Sequence, residues 1–221
     1  MRTLLGSFRA LGASWLFAGL LAGAAGEAAA WGSVNRDAAL KKIASSSLEQ
    51  RRQGYGWMAD VGTMEDIPLL LSALTDDEEL IQGVAQQSIW GIWMRANDSV
   101  ADPLFQTALD LMNQMKLAEA EASFDTLLTL KPEFAEGWHR RGEMKVLGDR
   151  WDDAAADFAR ALELNPYHFG ALEGLGQCSM RRGRNLEAVQ YFRRALEINP
   201  LLESAREYLR RASDAADRER T

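Results

Sequence analysis

Apolar and small positions in the second half of the chain recur with a step of 34. Lys131-Pro132, Asn165-Pro166 and Asn199-Pro200 repeat at that spacing. Ala120, Ala154 and Ala188 form a second column, Phe124, Phe158 and Phe192 a third, and Leu127, Ala161 and Ala195 a fourth. Further upstream in each unit, Leu104, Trp138 and Leu172 align, followed by Ala108, Gly142 and Gly176. A fixed period of this length marks a chain built from stacked copies of one unit, here 101–134, 135–168 and 169–202. Residues 48–94 carry a different helical pattern. Leu48 to Val61 predicts a weak helix loosened by Gly54 and Gly56, and Gly62-Thr63 breaks it. Asp66 to Thr75 carries Ile67, Leu69, Leu70, Leu71, Ala73 and Leu74, and Asp76-Asp77 are placed to cap a helix through Leu80, Val84, Ala85, Ile89 and Trp93. Ahead of these, 31–47 predicts a short amphipathic helix around Ala38 to Ile43 and a linker. Behind the repeats, Leu202, Ala205, Tyr208, Leu209 and Ala212 keep helical spacing to about Ser213 within 203–221. The mostly charged tail from Asp214 is expected to fray.

The columns of the 34-residue units resemble those of the tetratricopeptide repeat (TPR) family, in which a large apolar residue, a small residue, Ala, Phe, Ala and Pro sit at these offsets of a helix-turn-helix. The resemblance implies an all-α, right-handed α-solenoid of three TPR units with a C-terminal capping helix. The physics agrees. Gly142, Ala154, Gly176 and Ala188 allow two helices to approach closely, the three Phe fill the space between repeats, and each Pro ends a second helix. A stack of repeats also needs a polar-faced terminal helix, which the segment after Leu201 supplies. The segment centred on IPLLLSALTDDEELIQGVAQQSIWGIW, within 48–100, looks like a degenerate HEAT-type helical repeat, although Gln82 stands where that pattern usually has Arg. It is expected to dock on the first TPR unit, because a lone helical pair cannot bury its own face. The combination is similar to small exported TPR-containing proteins of bacteria, with relatives in photosynthetic eukaryotes.

Composition changes this picture little. Of 221 residues, 47% are hydrophobic and 26% charged, which suits a well-packed chain of one or two compact units. A net charge of -7 argues against general nucleic-acid binding, and a single cysteine, Cys178, excludes an intramolecular disulfide or multi-cysteine zinc site. The N-terminus adds an address. Arg2 and Arg9 precede an uncharged run from Ala10 to Gly26, and Ala28-Ala29-Ala30 offers a small-x-small cleavage site, so 1–30 is expected to be a signal peptide removed before Trp31. The rival, an uncleaved anchor, has an apolar run short of the roughly 20 residues that span a bilayer. The mature chain is expected to be exported, without stable membrane insertion: periplasmic in a bacterium, or in the secretory pathway or a plastid or thylakoid lumen in a photosynthetic eukaryote.

Catalytic chemistry is not indicated. The chain has no Gly-rich phosphate loop, paired-histidine metal motif or Gly-x-Ser-x-Gly turn, so no enzyme activity, cofactor or metal is expected. His139 is expected to be a partly exposed polar residue, His168 to shape an inter-repeat turn, and Cys178 to pack. Trp90 and Trp93 share a helix face and are expected to fill the junction with the first repeat rather than form a ligand platform. In TPR proteins the first helix of each repeat lines a concave surface that takes peptides. By that resemblance the groove here is Phe105, Leu109, Met112 and Asn113, then His139, Glu143 and Leu147, then Glu173, Gln177 and Arg181. One alternative has the HEAT-like helices covering Phe105, Leu109 and Met112. The TPR subgroup that clamps chaperone carboxylates uses Lys, Asn and Arg at five slots that here hold Phe105, Leu109, Arg140, Gly170 and Gly174, so that clamp is absent. The expected function is a non-enzymatic protein-interaction scaffold or assembly factor binding a protein or peptide segment. The alternative is a structural subunit of a larger envelope or membrane-associated complex.

Overall fold

The computed structural model describes residues 34–219, and the expected signal peptide lies outside them. Among the described residues there are eleven α-helices, two short 3-10 turns and no strand. None of the helices is long and apolar enough to cross a membrane.

Four helices precede the repeats. In α1 (Arg36–Ile43), Asn35 caps the N-terminus by accepting from the Ala38 N–H at 2.9 Å. Helix α2 (Leu48–Val61) is continuous and is not loosened by its glycines. Gly54 is the point where α1 crosses α2, since a Cβ there would stand 2.7 Å from the Ala39 carbonyl. The chain then turns at Gly62 and forms α3 (Ile67–Ser72), flanked by 3-10 turns at Met64–Asp66 and Ala73–Thr75. Asp66 is buried and bound by the Arg36 guanidinium at 2.7–3.1 Å, which ties α1 to this turn. Helix α4 (Glu79–Trp93) buries Ile81, Ala85, Ile89 and Ile92, and its Ser88 hydroxyl donates to the Tyr55 carbonyl at 2.6 Å. Its start corrects the expected cap: Asp76 accepts from the Glu78 N–H, one residue ahead of the helix, and Gln82 donates back to the Asp76 carbonyl.

The repeats are three antiparallel pairs: α5 (Ala101–Asn113) with α6 (Leu117–Leu130), α7 (Ala135–Leu147) with α8 (Trp151–Leu164), and α9 (Phe169–Arg181) with α10 (Asn185–Ile198). Each helix packs on the next in the chain, as in a solenoid. The repeating columns are its core. Ala120, Ala154 and Ala188 are fully buried, and so are the three phenylalanines. Phe158 is wedged between Gly142 of its own repeat and Gly174 of the next, where Cβ atoms would come within 2.7 and 2.6 Å of the ring. Phe192 abuts Gly176 in the same way and stacks on Tyr208 at 5.5 Å.

The turn inside each repeat has one device in common. Met115, Asp149 and Gly183 have left-handed backbones with φ of 58°, 56° and 71°. In each, the next residue's N–H closes the helix end by bonding a carbonyl five residues back, as Lys116 does to Leu111 at 2.9 Å. Only the third repeat uses glycine, so the recurrence is hidden from residue identity. The last helix, α11 (Glu203–Arg218), also departs from expectation. It does not fray at Asp214 but continues to Arg218, because Ala216 is buried and the Asn185 amide donates to Glu219 at 2.6 Å.

Candidate interaction groove

The first helices of the repeats, α5, α7 and α9, lie side by side and present the face on which a groove is expected. Part of that face is occupied from within. Trp90 and Trp93, one helical turn apart on α4, meet edge to face at 5.2 Å and reach across to the second and third repeats. Trp93 stacks on His168 at 4.6 Å and lies 4.8 Å from Phe169. Trp90 meets Phe169 edge-on at 5.2 Å and lies 6.1 Å from His139. Gly170 makes room, since a Cβ there would be 2.9 Å from His139 Nε2 and 3.2 Å from the Trp90 ring. The N-terminal helices therefore dock chiefly across the second and third repeats rather than only on the first. Met94 and Ala96, just beyond α4, do pack on the first-repeat core. An apolar face on α4 was legible, but the partner of that face depends on the space left by Gly170.

Beneath the two indoles lies a buried polar cluster. Glu136 (1% exposed), His139 (3%) and His168 (0%) come together from the starts of α7 and α9. One Glu136 oxygen accepts from Arg140 Nε at 2.5 Å and lies 3.5 Å from His139 Nδ1, while the other is 2.9 Å from His168 Nε2. Arg140 also donates to Glu143 at 2.9 Å. Burial alone would raise the Glu136 pKa, but Arg140 and His139 beside it hold the carboxyl well below its usual range. Burial pushes His168 the other way, from 6.5 to about 4, with His139 adding to the effect. His168 Nδ1 accepts from the Ala171 N–H at 3.2 Å and so caps α9. The ring proton then sits on Nε2 and is donated to Glu136.

The three side chains place potential metal-ligand atoms within 4.8 Å of one another. Their chemistry does not suit a cation. The His168 atom facing the cluster carries the proton, and the Arg140 guanidinium already holds the carboxylate. The cluster is a buried ion network sealed by tryptophan.

A pH dependence follows. Below pH 6.5 the unfolded chain protonates at His168 while the folded chain does not until about pH 4, so the folded state loses stability as pH falls through that window. The full loss is about 3 kcal/mol. Glu136, His139 and Arg140 are the charged or titratable groups that surround it, and Arg140 and His139 hold the Glu136 carboxyl well below its usual range. Urea unfolding of the native chain and of His168→Asn, which keeps a capping oxygen, is expected to show a shallower loss between pH 6.5 and 4.5 in the variant. Equal slopes would contradict the assignment.

The structure sorts the predicted groove residues into two sets. Phe105 is fully buried in the first-repeat core, 5.1 Å from Phe134 and 6.4 Å from Phe124, and is not groove lining. His139 is buried below Trp90 rather than partly exposed. The rest form a more accessible strip: Leu109, Met112, Glu143, Glu173 and Gln177 are partly buried, and Asn113, Leu147 and Arg181 exposed. Burial, with Glu143 adding to it, raises the Glu173 pKa, and its carboxylate accepts from the Ser204 hydroxyl at 3.0 Å. Of the five chaperone-clamp slots, Phe105 and Gly174 are buried, Leu109 and Gly170 are half-buried, and Arg140 is held by Glu136 and Glu143. Cys178 is buried, and burial lifts its thiol to about 11, as an inert packing residue requires. Glu136, the centre of the cluster, was not singled out from sequence.

Comparison with known proteins fits this architecture. Residues 147–203 match the family model described as tetratricopeptide repeat. A TPR repeat-containing protein of Rhizobium etli is 28% identical over 83 residues, or 38% of this chain. The match spans 41% of that relative, less than half its length. Among solved structures, the first TPR of Spaghetti (RPAP3) bound to the HSP90 peptide SRMEEVD superposes with a TM-score of 0.53 at 23% identity, covering 54% of this chain and 96% of that one. The Sgt2 TPR domain from Aspergillus fumigatus gives 0.54 at 14% identity over 56% of this chain and 83% of its own. MamA protein gives 0.51 at 18% identity, over 69% and 84%. At these identities the likeness is one of fold.

Proposed function

We propose, from the chain's membership of the tetratricopeptide-repeat proteins, that it is a non-enzymatic, exported interaction module that binds a peptide or protein segment along the strip of its first-helix face left open by α4. The observation that carries this reading is the strip itself. Leu109, Met112 and the 43% exposed Leu147 give it an apolar end, and Glu143, Gln177 and Arg181 a polar one. That grading suits an amphipathic segment. The RPAP3 repeat was solved with a peptide bound, which supports peptide binding as a use of this fold. The chaperone carboxylate clamp does not carry over, because its slots here are apolar, glycine or already paired. A second reading, a structural subunit of a larger envelope or membrane-associated complex, draws on Leu130 and Leu186, exposed on the second helices of their repeats.

The test compares the native full chain with Leu109→Arg/Leu147→Arg in affinity purification from its native compartment. Helical circular dichroism confirms that the variant is folded. A partner that copurifies with the native chain is expected to fall at least tenfold in the variant, a loss consistent with two buried charges. Full retention would move the contact to another face and favour the subunit reading, which a high apparent mass in native extracts would then support.

A further inference from the structure

The open strip carries negative charge that the fold does not neutralise. Glu173, early in α9, is half-buried, and its carboxylate accepts only from the Ser204 hydroxyl at 3.0 Å. No Lys or Arg among the described residues stands within ion-pair distance of it. The titratable groups that act on it are Glu143, which repels its charge, and His139, which lies beneath Trp90. Tyr208, stacked on Phe192, is close enough for Glu173 to raise its hydroxyl pKa. A carboxylate drawn out of water without a cation is unfavourable, and the raised pKa of Glu173 is the trace of that cost. Asp110 adds a second uncompensated carboxylate at the edge of the strip. It is exposed on α5, one helical turn from Asn113, and its side chain has no ion pair among the described residues.

The cations on or beside this face are already committed. Arg140 is bound by Glu136 and Glu143. The Arg181 guanidinium lies over Trp151 at 5.7 Å and meets Asp149 at 3.4 Å, so it serves the turn inside the second repeat. Arg211, on the capping helix, is taken by Glu207 at 2.7 Å. Lys116 has no carboxylate, but it stands in the column of Arg150 and Arg184 just ahead of the second helices, where those two pair with Asp153 and Glu187 of the second helices themselves. What remains open is an apolar run, Leu109, Met112 and Leu147, beside carboxylates without counterions. Such a surface is complementary to a segment that brings apolar and cationic side chains together.

Taking the strip as the binding face, on which this inference rests, we propose that the segment it holds is basic and amphipathic. Its apolar side chains cover Leu109, Met112 and Leu147, a Lys or Arg pairs with Glu173, and Asp110 takes a second cation. A neutral or acidic segment would bury Glu173 further and leave it unpaired, which is the source of the discrimination.

The full chain is titrated by isothermal calorimetry, in about 0.15 M salt to screen long-range attraction, with three peptides of pattern LXXLLXXLLXXL in which X is Lys, Gln or Glu. The Lys peptide is expected to bind at least tenfold tighter than the Gln peptide, and the Glu peptide most weakly. Glu173→Gln is expected to weaken the Lys peptide about tenfold and to leave the Gln peptide unchanged. Asp110→Asn, at an exposed position, is expected to weaken the Lys peptide about two- to threefold. Glu79→Gln removes the same charge at the start of α4, away from the strip, and is expected to change neither. Helical circular dichroism checks each variant, and if Glu173→Gln does not fold, Asp110→Asn against Glu79→Gln decides. Equal affinities for the Lys and Gln peptides, both lost in Leu109→Arg/Leu147→Arg, would keep the strip as the binding face and overturn its preference for a cation. A Lys peptide weakened as much by Glu79→Gln as by Glu173→Gln would reduce that preference to the net charge of the chain and overturn it too. Binding of none of the three at millimolar peptide would also overturn the proposal, and the strip itself would then be decided by the copurification test.

Discussion

Glu136→Met is expected to cost the fold about 3 kcal/mol, although the two side chains are close in volume. The substitution strips His168 Nε2–H of its acceptor in a fully buried site and takes from Arg140 its closest carboxylate. Glu143 remains paired with Arg140, which keeps the loss below that of a wholly orphaned buried charge. Glu136→Gln, which retains an oxygen, is expected to lose less. Because Trp93 stacks on His168, a second signal accompanies the loss: the near-ultraviolet circular dichroism of the tryptophans changes in Glu136→Met under conditions where helix content does not. Urea midpoints within a few tenths molar of the native value would show that the network does not hold α7, α9 and α4 together.

The other large effect concerns the ring between two glycines. Phe158→Ala is expected to destabilise by about 3 to 5 kcal/mol, since it empties a site that joins the second and third repeats. Gly174→Ala fails for the opposite reason. Its new methyl would meet the Phe158 ring at 2.6 Å, and overpacking of that kind costs about 1 to 3 kcal/mol. The two faults are complementary. Phe158→Leu combined with Gly174→Ala is expected to cost less than the sum of the single changes, and strict additivity would mean that the ring and the glycine are not coupled.

These cases show which parts of the molecule were legible in its sequence. The columns at step 34 were, because the closeness of two helices leaves its trace in residue size: Ala120, Ala154 and Ala188 must be small and Phe124, Phe158 and Phe192 large. Left-handed turns at Met115 and Asp149 were not, since the backbone is fixed there by the carbonyl it must reach and not by a glycine. The accessibility of the expected groove residues was half legible. Register placed His139 on the first helix of the second repeat, but nothing local says that Trp90 covers it. One signal was available and went unread. Phe134, His168 and Leu202 occupy the same place ahead of their helices, so a histidine stands in an otherwise apolar column. A polar residue at a buried slot needs a buried partner, and the nearest acid on the preceding first helix is Glu136. Phe105 failed in the converse way: its helix position suggested exposure, while Phe134 closes over it.

The docking of α4 on α7 and α9 also fixes an order of events during synthesis. Trp90 and Trp93 leave the ribosome about eighty residues before Phe169 and Gly170, the groups that receive them. At ordinary elongation rates that interval is on the order of ten seconds. Throughout it the first helices can pair among themselves, but their two indoles have no place to go. A nascent chain of this protein thus displays an aromatic pair that the finished one conceals, and any factor that attends its early life meets a surface the mature fold does not present.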